Sequence, residues 1–166
     1  LISGIHDLLP NRTGGAAMQK NLEVLGDIEY SQEEIDFAIE MQKANGKPTL
    51  GIDGKIRPLR ETLESPGGGS TDVGDVSYNV PVVSLAATTA PKGVPWHSWS
   101  VVASSGMSIG HKGMMHAAKA LGMTMIDIFK DKKLREEIKK EFDERIGEYE
   151  YDPYLDPGPP PIDYVD

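Results

Sequence analysis

At 166 residues the chain is long enough to bury one substantial core. Its formal net charge of -9 excludes the basic surface that nucleic acid requires, and no apolar run approaches the roughly 20 residues that cross a bilayer. Cysteine is absent, so disulfides and thiolate-held metals are excluded, and any metal would rest on His, Asp and Glu, ligands that suit zinc or manganese.

The chain opens on Leu1 with no signal-like segment after it, and reads as an internal piece of something longer. Residues 1–15 show no clear period. Pro10-Asn11 is a turn signal, and Asn11 to Gly15 reads as a loop. Met18, Leu22 and Leu25 share one stripe of a short helix over 16–25, with Gly26 as its stop. Ser31 and Glu34 form a capping box. It opens a helix over about 32–45 that buries Ile35, Ala38, Ile39 and Met41 and ends at Asn45-Gly46. Residues 47–66 mix Gly, Pro and charge and read as a loop.

The informative stretch is Gly67 to Leu121. Gly67-Gly68-Gly69-Ser70 makes the backbone permissive. Thr71-Asp72-Val73-Gly74-Asp75 follows and reads more readily as an Asx turn after a linker than as a site. Val80 to Ala87 carries apolar residues on both parities, the pattern of a strand covered on both faces. Trp96-His97-Ser98-Trp99 closes a long loop, and Trp99 to Ala103 reads as a second strand. Ser108 caps a helix running to about Lys130. Met114, Ala118, Leu121, Met125 and Ile128 make one apolar stripe of it and Met115, Gly122, Ile126 and Phe129 a neighbouring one, so this helix is expected to be buried on a sheet. A last helix, opened by Asp131, runs to about Ile146 with a narrow stripe of Leu134, Ile138, Phe142 and Ile146; Gly147 stops it. From Glu148 onward the chain is an acidic, Pro-rich extended tail.

His97 is the sharpest chemical candidate, since a neutral imidazole at the end of a loop can bind a metal or act as a general base. An orienting or core histidine is the competing reading. His111 and His116 lie five apart, so on a helix they point about 140° apart and cannot be paired ligands. His111, in the first turn, is the likelier of the two to reach a site. His6 is isolated and carries no motif. There is no nucleophile elbow and no phosphate loop. The residues alone thus give an α/β domain with half a site.

The strings GSTDVGDVSYNVP, PWHSW and HKGMMHAAKAL, preceded by AAMQKNLEVLG and EEIDFAIEMQKANG, resemble the C-terminal part of the aminobenzoyl-glutamate hydrolase type of di-metal amidohydrolase. That family also holds aminoacylases, carboxypeptidase G-type enzymes and auxin-conjugate hydrolases. The resemblance covers roughly residues 8–150. It implies a three-layer α/β/α catalytic domain of the zinc-peptidase kind, interrupted in the family by a lid domain used for dimerisation. Residues 1–150 would be the C-terminal part of that domain and 151–166 a tail. It implies a zinc or manganese pair held by His, Asp and Glu, with a glutamate as general base, mostly from the half before the lid. By motif His97 matches the last ligand, a histidine. Ser70, Asp72, Asp75 and His111 would shape the site around it. Trp96 departs from the family, whose members carry Gly before that histidine. The implied substrate is a small N-acyl or N-aroyl amino acid such as p-aminobenzoyl-glutamate. The implied assembly is a homodimer or hetero-oligomer in the cytoplasm, with no nucleic acid or membrane partner. Lacking the first metal-binding half, the chain is expected to be inactive alone. The alternative is a non-catalytic binding or interaction module.

Overall fold

The computed structural model describes residues 4–59, 71–155 and 157–159. Six helices follow one another among them: α1 (Arg12–Leu25), α2 (Gln32–Ala44), α3 (Val73–Ser77), α4 (Trp99–Ser105), α5 (Ser108–Lys130) and α6 (Lys132–Ile146). Helices take up 53% of the described residues and no strand is found among them, which overturns the expected α/β three-layer fold. The chain divides into two compact units. One holds Leu1–Gly14, Arg60–Val83 and Lys132–Asp166; the other holds Gly15–Leu59 and Ser84–Asp131.

Two segments read as strands fail for different reasons. Residues 80–87 form no strand and make one isolated parallel bridge, Pro10 to Val82. Pro10 and Pro81 have no N–H to give, so the ladder cannot grow beside that bridge. Val80 is half-exposed, not covered on both faces. Residues 99–103 lie in α4. Ser100 and Ser104, one turn apart, are fully buried, and the Ser104 hydroxyl donates to the Ser100 carbonyl at 2.7 Å. That anchorage outweighs the strand preference of Val101 and Val102.

In the first unit, the start of α1 lies four residues earlier than the apolar stripe suggests. The Asn11 side-chain oxygen accepts the Gly14 N–H at 2.8 Å, and its amide donates to the Ile138 carbonyl at 2.9 Å. Glu141, on α6, accepts the N–H groups of Arg12 and Thr13 at 2.8 and 2.7 Å. A carboxylate at the first turn of a helix satisfies open donors and complements the dipole. The expected loop over Asn11–Gly15 is therefore a cap and a helical turn. Ile138 and Phe142 of α6 are buried, as their narrow stripe predicts, while its other faces are charged. Thr71–Asp75, expected as a turn, leads into α3. Gly74 passes so close to His6 that a Cβ there would sit 2.0 Å from its carbonyl oxygen.

In the second unit, Ser31 caps α2 with the reciprocal Glu34 contact that the sequence predicts. The buried face of α2 is Glu34, Ala38, Met41 and Gln42, with Ile35 and Ile39 only half-buried. Residues 47–59 form neither helix nor strand but are tied down. The Gln42 side chain accepts the Gly51 N–H at 2.9 Å and donates to the carbonyls of Gly51 and Lys92, both at 2.8 Å. Asn21 on α1 donates to Thr124 and Asp127 on α5 at 3.0 and 2.8 Å. α5 ends at Lys130 as predicted, but its cap is Met107 and not Ser108, which is the first helical residue, and no side chain closes that end. Its expected burial on a sheet is wrong: Met114, Met115, Leu121, Met125 and Ile126 are 43–57% exposed. The side it buries is Ile109, Gly110, Gly113, Ala120 and Thr124. The segment 60–70 and the terminal stretch from 160 lie outside the described residues.

Candidate functional site

The His97 loop belongs to the second unit and is held at both ends. Upstream, Gln42 grips the Lys92 carbonyl, and Pro91 and Val94 are buried. Downstream, the Asn45 amide at the end of α2 donates to the Ser100 hydroxyl at 2.6 Å and to the Met41 carbonyl at 2.7 Å. Between these anchors the chain turns sharply. The Ser98 hydroxyl donates back to the Pro95 carbonyl at 2.6 Å, and Ser98 is the N-cap of α4. His97 sits inside that turn, exposed, with φ of 59°; it has the one positive φ among the described non-glycine residues. A side chain in the left-handed region costs roughly 1–2 kcal/mol. Exposed as it is, His97 gains little packing to offset that cost. Trp96 and Trp99 flank it, 70% and 59% exposed.

The other predicted site residues are distributed between the units. His111 is in the second unit, exposed in the first turn of α5. Asp72 and Asp75 are in the first unit. Asp72 is exposed at the start of α3 without a side-chain capping bond. Ser70 lies outside the described residues. His116 is tied to the end of α1: its Nε2 lies 2.9 Å from the Gly26 carbonyl oxygen and donates to it.

Asp75 is engaged by His6, which the sequence pattern leaves without a role. His6 is buried, and its Nδ1 lies 2.8 Å from Asp75 Oδ1, which also accepts the His6 backbone N–H at 3.2 Å. Its Nε2 lies 2.8 Å from the Tyr149 hydroxyl. With Nδ1–H donating to the carboxylate, Nε2 accepts the tyrosine proton, so a neutral imidazole is satisfied on both sides. Tyr154 stacks on the ring at 4.2 Å and 5°, while Tyr78 and Tyr151 stand at 5.2 Å. The His6 hydrogen bond, outweighing partial desolvation, holds the Asp75 carboxyl below the usual carboxylate range. This is a closed cluster that fastens residues 149–154 to the N-terminal segment. No sequence signal marks it, because its members lie 69 and 143 positions apart.

A second ion pair, between buried Glu34 and the partly exposed Lys112, joins α2 to α5. Lys112 Nζ is 2.6 Å from Glu34 Oε2 and donates also to the Glu29 carbonyl at 2.9 Å. Burial alone would raise the Glu34 pKa, but hydrogen bonds from Lys112, Ser108 and the Ser31 N–H override it and hold the group at about 2. Among the described residues no three His, Asp or Glu side chains converge to hold a metal ion.

The chain is similar to a p-aminobenzoyl-glutamate hydrolase subunit of Escherichia coli (strain K12). The two are 34% identical over 157 aligned positions, which take in 80% of this chain and 33% of the relative. The chain therefore spans about a third of the relative's length. No family model matches the chain. No solved structure matches it either. No helix among the described residues is long and apolar enough to cross a membrane.

Proposed function

We propose that this chain is the His97-bearing, C-terminal part of a metal-dependent amidohydrolase that cleaves the amide of an N-acyl or N-aroyl amino acid, with p-aminobenzoyl-glutamate as the leading substrate. The observation that carries this reading is the backbone of His97. An exposed imidazole held at φ of 59° between two anchored loop ends is strain without a packing return. Such strain concentrates at functional positions. The similarity to a hydrolase subunit supplies the reaction class.

The described residues do not make up a metal site by themselves. In this reading His97 gives one ligand, and the others belong to the two thirds of the relative with no counterpart here. A zinc or manganese ion bound there would polarise the amide carbonyl and acidify water. His97 contributes its position: the turn fixes the backbone, so the ring is presented to a ligand with little freedom to lose.

The test uses this chain alone and a chimera in which it replaces the matched third of the E. coli protein. Release of p-aminobenzoate and metal content are measured for both. The chain alone is expected to hold metal weakly and to give no turnover. The chimera is expected to turn over and to lose at least 100-fold on His97→Ala. Full metal content and turnover in the His97→Ala chimera would remove the ligand assignment.

A further inference from the structure

α5 is built inside out relative to its own unit. At about 100° per residue, Ile109, Gly110, Gly113, Ala120 and Thr124 cluster on one side, and these are the buried ones. Met114, Met115, Leu121, Met125 and Ile126 fall within an arc of about 140° on the other side. They are 57%, 51%, 43%, 56% and 52% exposed. A helix at the surface of a finished domain turns its large apolar residues inward and its small or polar ones outward. Here one isoleucine, Ile109, faces in beside two glycines, an alanine and a threonine, while three methionines, a leucine and a second isoleucine face out. At roughly 200 Å² for a large side chain, these five expose on the order of 500 Å², near the upper end for a whole monomer's largest apolar patch. The inward face is already committed: a Cβ on Gly113 would lie 2.1 Å from the Thr88 carbonyl oxygen, so the helix cannot simply roll to bury the methionines.

We propose that this outward face of α5 is the docking surface for the portion of the hydrolase polypeptide that the chain does not match. The proposal rests on the functional reading above for the identity of that occupant. The matched share is 33% of the relative, leaving about two thirds of a polypeptide to be accommodated. A second copy of this chain is the poorer occupant, because each copy carries a net charge of -9 and the two would repel. The rim of the face carries the exposed Lys119 and Lys130, so an apolar centre is bordered by polar groups as in an interface. Three methionines in that centre adapt to an irregular opposing surface.

The probe is methionine oxidation by dilute peroxide, read by mass spectrometry at Met114, Met115 and Met125, with buried Met41 as internal reference. The chain alone and the chimera described above are compared. Oxidation at the three positions is expected to slow at least tenfold in the chimera. Leu121→Asp supplies the second measurement: the chain alone should keep its melting temperature, and the chimera should lose at least 5 °C. Equal oxidation rates, a chimera that does not fold, or a Leu121→Asp chain that melts early would each overturn the proposal. So would self-association of the chain that Leu121→Asp abolishes, since that assigns the face to a second copy. Hydrolysis is scored separately. A chimera that protects the methionines without turnover refutes the functional reading and leaves the docking surface standing. Turnover with unprotected methionines does the reverse.

Discussion

Replacing His97 by glycine separates a strained functional residue from a packed one. The native φ is 59° and the side chain is exposed. Glycine removes a left-handed penalty of about 1–2 kcal/mol. It adds chain entropy to the unfolded state worth about 0.5–1 kcal/mol. The net expectation is a stabilisation of about 0.5–1 kcal/mol, which for a chain of this size raises Tm by about 1–4 °C. His97→Ala keeps the Cβ and so keeps the strain; its stability should stay within about 0.5 kcal/mol of the parent. Metal content and turnover of the chimera should collapse equally in both variants. The assay pairs circular-dichroism melting of the chain with p-aminobenzoate release by the chimera. A drop of several degrees in His97→Gly would mean that the ring packs. Retained turnover would mean that it binds nothing the reaction needs. Either result refutes the argument that the turn stores strain for function.

Gly113→Ala places a Cβ 2.1 Å from the Thr88 carbonyl, so α5 must shift; a loss of about 2 kcal/mol or more is expected as a lower denaturation midpoint at constant m. His116→Ala removes the bond to the Gly26 carbonyl and should cost about 1–2 kcal/mol, while the chimera keeps at least half its turnover; melting and rate are read on the same preparations. Glu34 and Glu141 are both held at about 2. For Glu141 too, burial would raise the value, and its bonds from Thr13, Arg12 and Arg145 override it. Their folded values lie below the ordinary 4.5, so the stability they contribute is present above about pH 4.5 and is lost as pH falls toward 2. Denaturation midpoints taken from pH 6 to pH 2.5 should fall along that window, and Glu34→Gln should flatten the fall; an unchanged slope would show that the pair adds no acid sensitivity.

The sequence by itself determined the helices whose signals are local. The Ser31–Glu34 box, the stripe of α6 and the glycine stops at 26 and 147, both in the left-handed region, act within one or two turns, so neighbouring residues suffice to specify them. It also placed His97 at the end of a loop between two tryptophans, although the segment that follows is helix α4 and not the expected strand. Tertiary structure decided what depends on distant partners. The early start of α1 needs Glu141, 128 or more positions away. The helical state of α4 needs Ser100 gripped by Asn45 across 55 positions, against the local preference of two valines. The His6 cluster unites three segments that share no pattern. Apolar periodicity says that the outward stripe of α5 must be covered, but it cannot say by what. A continuous apolar run looks the same whether its cover comes from a neighbouring strand, its own unit or another polypeptide, since burial is a property of the assembly and the sequence records only the demand for it.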